Sequence, residues 1–145
     1  MKRESPIFTP NEGMPRVERP SSEIFKGTGE EGLYRMLRDF YRKLENSPVR
    51  SLFPEDMEKA SRKSATFFIQ LLGGPPLFTQ MYGPPRMRQR HFPFEIDEEA
   101  RKVWLTLFLE TLEDAEERYG FPAEHLEGFR EFLREFSRWM VNKKS

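Results

Sequence analysis

The numbers of histidine and cysteine residues limit the chemistry that this chain can carry. Among its 145 residues only His91 and His125 are histidines, and there is no cysteine. These counts exclude a disulfide scaffold, thiolate metal sites, a cysteine nucleophile and any site that needs three histidine ligands from this chain. The Gly-x-Ser-x-Gly motif of serine hydrolases and the His-Glu-x-x-His motif of zinc peptidases do not occur either. The search for a functional residue therefore begins with the two histidines.

His91 lies between a basic stretch and an aromatic stretch. Arg90 precedes it, and Phe92 and Phe94 follow it. A haem needs a neutral imidazole as axial ligand, an apolar slot for its ring and basic side chains for its propionates. The 14 phenylalanines of the chain also suit a cofactor slot better than a four-helix core alone. We interpret His91 as a candidate axial ligand, and the alternative is a histidine that only packs or caps a turn.

A glycine pattern upstream matches a nucleotide-binding fingerprint without its context. Gly27, Gly29 and Gly32 have the spacing Gly-x-Gly-x-x-Gly. That fingerprint binds a pyrophosphate only where a buried strand precedes it and a helix N-terminus meets the phosphates. Residues 22–26 are too few and too polar for such a strand, and Glu30 would repel a phosphate. We interpret these glycines as a hinge before a helix.

The charges of the chain balance. Lys plus Arg and Asp plus Glu each number 24, so the formal net charge is zero. Such a chain is a poor candidate for general binding to nucleic acid or to an anionic membrane, and the arginines at 86, 88 and 90 fit a solvated turn or a small-anion site better. No apolar run approaches the roughly 18 residues of a membrane span, and no secretory signal opens the chain. We expect a cytoplasmic protein that binds neither nucleic acid nor membrane.

Hydrophobic periodicity predicts an all-α domain behind a proline-rich extension. Residues 1–22 have no periodic pattern, so we expect a flexible N-terminal extension and a domain over residues 23–145. The main helices are predicted at about 29–46, 55–72, 97–119 and 122–140. A capping box, Thr28-x-x-Glu31, would begin the first helix, and Asp97 would cap the third. The segment 77–96 is predicted to be irregular, apart from one helical turn before His91.

The order of short motifs along the chain points to a family. In sequence order the motifs are Phe40-Tyr41, Leu52-Phe53-Pro54, Phe67-Phe68-Ile69-Gln70, Gly73-Gly74-Pro75, Tyr82-Gly83-Pro84-Pro85, Arg86-Met87-Arg88, Arg90-His91, Pro93-Phe94-x-Ile96 and Ala100-Arg101-x-x-Trp104-Leu105. Each motif is common by itself. In this order and at this spacing the chain from about Ile24 to Val141 resembles the truncated haemoglobins, and among them the second group.

The resemblance implies a two-over-two α-helical sandwich around haem b (iron protoporphyrin IX). It implies that His91 is the proximal iron ligand and that Phe53 stacks against the porphyrin. Either Lys63 or Arg90 would meet the propionates. The remaining haem-pocket residues that it implies are Ala60, Ser64, Phe67, Met87, Phe94 and Ile96.

The resemblance also implies that Tyr41 and Trp104 hydrogen bond a ligand on the distal side. A phenol O–H and an indole N–H in a dry pocket stabilise partial negative charge on a diatomic ligand, each by about 1–3 kcal/mol. Ala60 has no hydrogen-bonding group, so the distal task is left to these two side chains. Without the motif context, core aromatics at helical spacing would be the favoured explanation of both residues.

These residues favour a protein that reversibly binds O2, and also CO and NO. Nitric-oxide dioxygenation or a peroxidase-like reaction would need an external reductase, because no flavin domain fits in this length. A sensor globin would need an output partner. The alternative from another class is a haem-free, all-helical protein-interaction module. The oligomeric state is not predicted.

Overall fold

The computed structural model describes residues 3–16 and 18–144, and all regular structure in these residues is helical. Short 3-10 turns occur at Arg50–Leu52 and Ala123–His125. The α-helices are α1 (Glu23–Glu45), α2 (Met57–Leu71), α3 (Leu77–Tyr82), α4 (Met87–Arg90), α5 (Glu98–Thr111), α6 (Ala115–Tyr119) and α7 (Leu126–Met140).

Two pairs of long helices form the body of the protein. Helix α1 packs most extensively against α2, α5 packs against α7, and α1 also contacts α5. Aromatic rings fill the centre: Phe108 lies 4.3 Å from Phe40, 5.5 Å from Phe68 and 5.8 Å from Phe129, measured between ring centroids. All four rings are buried, so each removes a large apolar area from water. This two-over-two all-α architecture confirms the predicted fold class.

The start of α1 differs from the prediction. The helix begins at Glu23 and continues through a kink at Gly29, whose φ of 68° and ψ of 174° are not helical. The Thr28 hydroxyl donates to the carbonyl of Ile24 at 3.0 Å, so Thr28 does not cap a new helix. The predicted capping box is therefore wrong. Asp97, in contrast, accepts a hydrogen bond from the backbone N–H of Ala100 at 2.9 Å and caps α5 as predicted.

Close packing explains Gly32, another glycine of the Gly-x-Gly-x-x-Gly pattern. A Cβ atom at Gly32 would lie 2.8 Å from the carbonyl oxygen of Tyr119, at the end of α6. Only a residue without a side chain lets α1 and α6 approach this closely. Because Gly29 supplies a kink and Gly32 a close contact, the pattern serves packing and not a nucleotide.

A partly buried hydrogen bond joins α6 to α1. The hydroxyl of Tyr119 donates to the Asp39 carboxylate at 2.6 Å, and Arg118 lies 3.3 Å from the same carboxylate oxygen. Tyr119 is 4% exposed. Burial and the neighbouring carboxylate of Asp39 raise the pKa of the Tyr119 phenol above its ordinary value. The phenol therefore stays protonated, and remains a donor, well into the alkaline range.

The segment 77–96 is more regular than its prolines predict. It contains α3, one and a half turns long, before the short α4. Arg90 donates to the carbonyls of Tyr82 at 2.8 Å and Pro85 at 2.6 Å, and Arg88 donates to the carbonyl of Trp139 at 2.6 Å. A proline-rich loop has few N–H groups for its own carbonyls, so guanidinium groups take that role. The expectation of a solvated turn is therefore wrong for Arg88 and Arg90.

Part of the N-terminal extension lies against the domain. The backbone N–H of Phe8 donates to the carbonyl of Asn142 at 2.9 Å, and Pro10 and Pro20 are buried. Met1, Lys2 and Val17 of the predicted extension lie outside the described residues. In the part of the chain that the structure covers, no helix is long and apolar enough to cross a membrane.

We expect Gly32→Ala to destabilise the fold by about 1–3 kcal/mol, because its Cβ would press on a backbone oxygen that cannot rotate away. Urea unfolding measures the change. Gly128→Ala is the matched control, since nothing lies within 4 Å of a Cβ there. The control replacement removes a helix glycine and is expected to stabilise by about 0.5–1 kcal/mol. Equal stability of Gly32→Ala and the parent would contradict the close contact.

We expect Tyr119→Phe to lower the free energy of unfolding at pH 7 by about 1.5–3 kcal/mol, the usual contribution of a hydrogen bond to a charged group. Because the folded-state pKa of Tyr119 is raised, this contribution is complete below the pKa of an unfolded tyrosine, about 10, and falls as the pH rises above it. The stability difference between parent and variant should therefore shrink above pH 10. At pH 7, Tyr34→Phe is the control, as its hydroxyl makes no hydrogen bond to residues 3–16 or 18–144. If the stability difference between the parent and Tyr119→Phe did not change with pH, the raised pKa of Tyr119 would be refuted.

Candidate functional site

A cavity of about 440 Å³ lies between the two helix pairs. Its volume falls in the range of small-molecule and cofactor sites, about 300–1,000 Å³. Every residue that the sequence assigned to a pocket lies in its wall: Tyr41, Phe53, Ala60, Lys63, Ser64, Phe67, Met87, Arg90, His91, Phe94, Ile96 and Trp104. The structure therefore brings the sequence-predicted residues together, while their individual roles stay predictions.

His91 is held with one ring nitrogen fixed. It follows directly after α4, and its Nδ1 lies 2.7 Å from the carbonyl oxygen of Met87, one turn earlier. A carbonyl only accepts, so Nδ1 must carry the proton and Nε2 has the free lone pair. Within residues 3–16 and 18–144, no side chain or backbone group hydrogen bonds Nε2. This tautomer is the one that ligates a metal through Nε2.

The surroundings keep His91 neutral. Burial lowers the pKa of His91 below its ordinary value, the Met87 hydrogen bond acts in the opposite direction, and the positive charges of Lys63 and Arg90 lower it further. A protonated imidazole has no lone pair for a metal. The electrostatics of the site therefore favour the ligating form of the ring.

Tyr41 lies on α1 beside α2. Its ring packs edge-on against Phe40 and Phe53, with ring centroids 5.6 Å apart in both pairs. Burial raises the pKa of Tyr41, and a hydrogen bond with the Ser64 side chain partly opposes this. The phenol is therefore protonated at neutral pH and can donate. Ser64 lies one turn beyond Ala60 on α2, so the apolar Ala60 and the polar pair share one wall.

Trp104 projects from α5 into the same cavity. Its ring packs edge-on against Phe40 at 5.5 Å and lies 5.3 Å from Phe108, which holds the indole in place. None of the hydrogen bonds within residues 3–16 and 18–144 involves the indole N–H, and Trp104 is only half-buried. An unpaired donor at the edge of an apolar cavity is available to a ligand inside it.

The two cations proposed from sequence differ in their availability. The guanidinium of Arg90 is occupied by the loop carbonyls described above and lies 5.0 Å from the ring centroid of Phe78. The ammonium of Lys63 lies over the Tyr82 ring at 4.7 Å, and the Lys63 side chain is exposed. Lys63 can therefore turn toward an anionic group at the cavity mouth without breaking a hydrogen bond.

Several cavity and support residues were missed from the sequence. Arg101 lines the cavity, where it donates to the Ser137 hydroxyl at 3.1 Å and to Glu98 at 2.8 Å. Asn142 is fully buried, and its side chain donates to the His91 carbonyl at 3.1 Å. The Asn142 contact spans 51 residues, so no local pattern could have indicated it. The other lining residues outside the prediction are Val49, Leu52, Pro54, Phe68, Phe78, Ala100, Ser137, Phe136 and Met140.

Comparison with known proteins agrees with this geometry. The family model for bacterial-like globins matches residues 24–142. The group 2 truncated haemoglobin YjbI of Bacillus subtilis is 35% identical over 120 residues, which cover 82% of this chain and 88% of that protein. The X-ray structure of the truncated oxygen-avid haemoglobin from Bacillus subtilis is 35% identical with a TM-score of 0.72, and the match covers 81% of this chain and 98% of that one.

A second solved structure resembles this chain over a longer stretch. Phosphate-bound Hell's gate globin IV is 35% identical with a TM-score of 0.82, and the match covers 90% of this chain and 81% of that one. The family match, the curated relative and the two-over-two fold agree. This chain belongs to the bacterial-like globins, in the second group of the truncated haemoglobins.

Proposed function

We propose that this chain holds haem b in its central cavity, with His91 as the axial ligand, and reversibly binds O2. The observation that carries the proposal is the His91 ring, whose Nδ1 is bound to the Met87 carbonyl while its Nε2 stays unpaired in the wall of an apolar cavity of about 440 Å³. The residues present fit the cofactor: a neutral imidazole, flat aromatic walls and a cation at the mouth. Globin family membership supports the same conclusion.

The walls of the cavity suit a large, flat, apolar ring. Phe67 stacks on Phe136 with ring centroids 5.8 Å apart and an interplanar angle of 27°. Phe53 packs edge-on against Tyr41. These side chains make the cavity wall mostly apolar. Lys63 is the better partner for a propionate, since Arg90 already serves the loop.

Haem held by His91 would supply an iron that binds a diatomic ligand, and such a ligand would carry partial negative charge. Tyr41 and Trp104 are the donors available to that charge, because Ala60 and the phenylalanines offer none. Ser64 lies in the same wall as Tyr41. Two preoriented donors in a dry pocket slow the release of O2. CO and NO fit the same space.

Slow release of O2 suits redox chemistry or sensing better than it suits oxygen delivery. Nitric-oxide dioxygenation and peroxidase-like turnover on the same site require electrons from an external reductase. The relative from Bacillus subtilis, which is described as oxygen-avid, supports strong retention as the starting hypothesis.

Replacement of the axial ligand tests the cofactor. We expect the parent, purified with haem available, to have a Soret band that shifts on reduction and again with CO. His91→Ala should lose stable haem, and added imidazole should restore the spectrum, because the free ligand fits the space that the side chain leaves. Absorption spectroscopy measures both effects.

His125→Ala is the control, since His125 lies in the turn before α7 and is absent from the cavity wall. Its spectrum should match that of the parent. A parent chain that stays colourless after haem titration would overturn the proposal and favour the haem-free interaction module.

Removal of the distal donors tests ligand retention. Tyr41→Phe and Trp104→Phe should each speed O2 dissociation by about 5- to 150-fold, the factor for a lost donor of 1–3 kcal/mol. The effects should be non-additive if both donors serve one ligand. Stopped-flow displacement of O2 by CO gives the rates. Tyr34→Phe, outside the cavity, should release O2 at the parental rate, and a double variant that did the same would show that the distal assignment is wrong.

A further inference from the structure

We propose that Arg3 and Asn142 are positioning residues for His91, and that together they fix the backbone of the segment 91–96, which we call the proximal segment. The proposal rests on the proposed role of His91 as the axial ligand. The family match begins at residue 24, so Arg3 lies in a part of the chain that this match does not cover.

Asn142 holds both ends of the proximal segment. Its side-chain Nδ2 donates to the carbonyl of His91 at 3.1 Å, and its Oδ1 accepts from the backbone N–H of Ile96 at 3.0 Å. Its own backbone N–H donates to the carbonyl of Ile96 at 2.9 Å. Asn142 is fully buried, so each of these groups needs a protein partner.

Arg3 holds the middle of the proximal segment and Asn142 itself. Its Nη1 donates to the carbonyls of Phe92 at 3.0 Å and Phe94 at 3.1 Å, and to Oδ1 of Asn142 at 2.8 Å. Its Nη2 donates to the backbone carbonyl of Asn142. The planar guanidinium therefore reaches several oxygens at once, which a lysine cannot do.

Two further contacts keep Arg3 in place. The backbone N–H of Ser5 donates to the Glu95 carboxylate at 2.8 Å. The carbonyl of Phe8 accepts from Nη2 of Arg88 at 2.8 Å, and Arg88 belongs to α4, directly before His91. The extension therefore contacts the chain on both sides of His91.

Local structure alone does not hold the proximal segment. It is not helical, Pro93 has no N–H, and the internal hydrogen bond that secures it runs from the Phe94 N–H to the His91 carbonyl at 2.9 Å. The ring of His91 is oriented by Met87, and its backbone carbonyl is held by Asn142, which Arg3 contacts in turn. A ligand whose ring and backbone are fixed by separate contacts is preorganised for its metal.

The test compares Arg3→Ala with the parent in the full-length, haem-loaded protein. We expect faster hydrogen exchange at the Phe94 and Ile96 amides, and haem loss to excess apomyoglobin that is faster by about tenfold. The resonance Raman band of the bond between His91 and ferrous iron should shift or broaden. A merely structural contact far from the ring would not move this band.

Arg16→Ala is the matched control, because Arg16 is an exposed arginine of the same extension with no hydrogen bond to any described residue. It should leave exchange, haem loss and the Raman band unchanged. If the Phe94 and Ile96 amides of Arg3→Ala exchanged hydrogen at the parental rate, the proposal that Arg3 fixes the proximal segment would be overturned. Faster exchange with an unchanged band and unchanged haem loss would overturn the positioning of His91. A parent chain without haem would instead refute the proposed function, and exchange in that chain would still decide whether Arg3 holds the segment.

Discussion

The hydrogen bond between the His91 ring and the Met87 carbonyl is the contact on which the candidate site depends. It selects one tautomer and leaves Nε2 unpaired in the wall of the cavity. Helix α4, which presents the carbonyl, is only four residues long and begins after Arg86, whose φ of 37° is unusual for a residue with a side chain. So short a helix does not hold itself in place, since its terminal groups outnumber its internal hydrogen bonds. The guanidinium groups of Arg88 and Arg90 supply the missing contacts.

The long helices and the cavity wall could be predicted from the sequence because their signals are local. The spacing of Ala60, Ser64 and Phe67 along α2 places them on one face, and Asp97 is a strong cap immediately before α5. The order of the motifs supplied the assignment of His91, Tyr41 and Trp104, which composition and periodicity could not provide. The proximity of Tyr41 to Ser64 could not be predicted, because it depends on how closely α1 and α2 pack.

The features that could not be predicted from the sequence depend on contacts between residues far apart in the chain. Thr28 and Glu31 look like a capping box, but the Thr28 hydroxyl donates to the Ile24 carbonyl one turn earlier, and the kink falls at Gly29. Arg88 and Arg90 resemble a solvated basic turn until their acceptors, carbonyls at the end of α7 and in the proline-rich loop, are known. Asn142 has no sequence signal at all. Its importance comes from where it is buried.

The contacts that hold the proximal segment have a consequence for biosynthesis. They include a hydrogen bond between Arg3 and Asn142, which are 139 positions apart in the chain. During vectorial synthesis Arg3 leaves the ribosome 139 residues before Asn142, and closing so large a loop is entropically costly until the helices have collapsed. The long helices can therefore assemble first, while the segment that carries His91 reaches its final order late in folding.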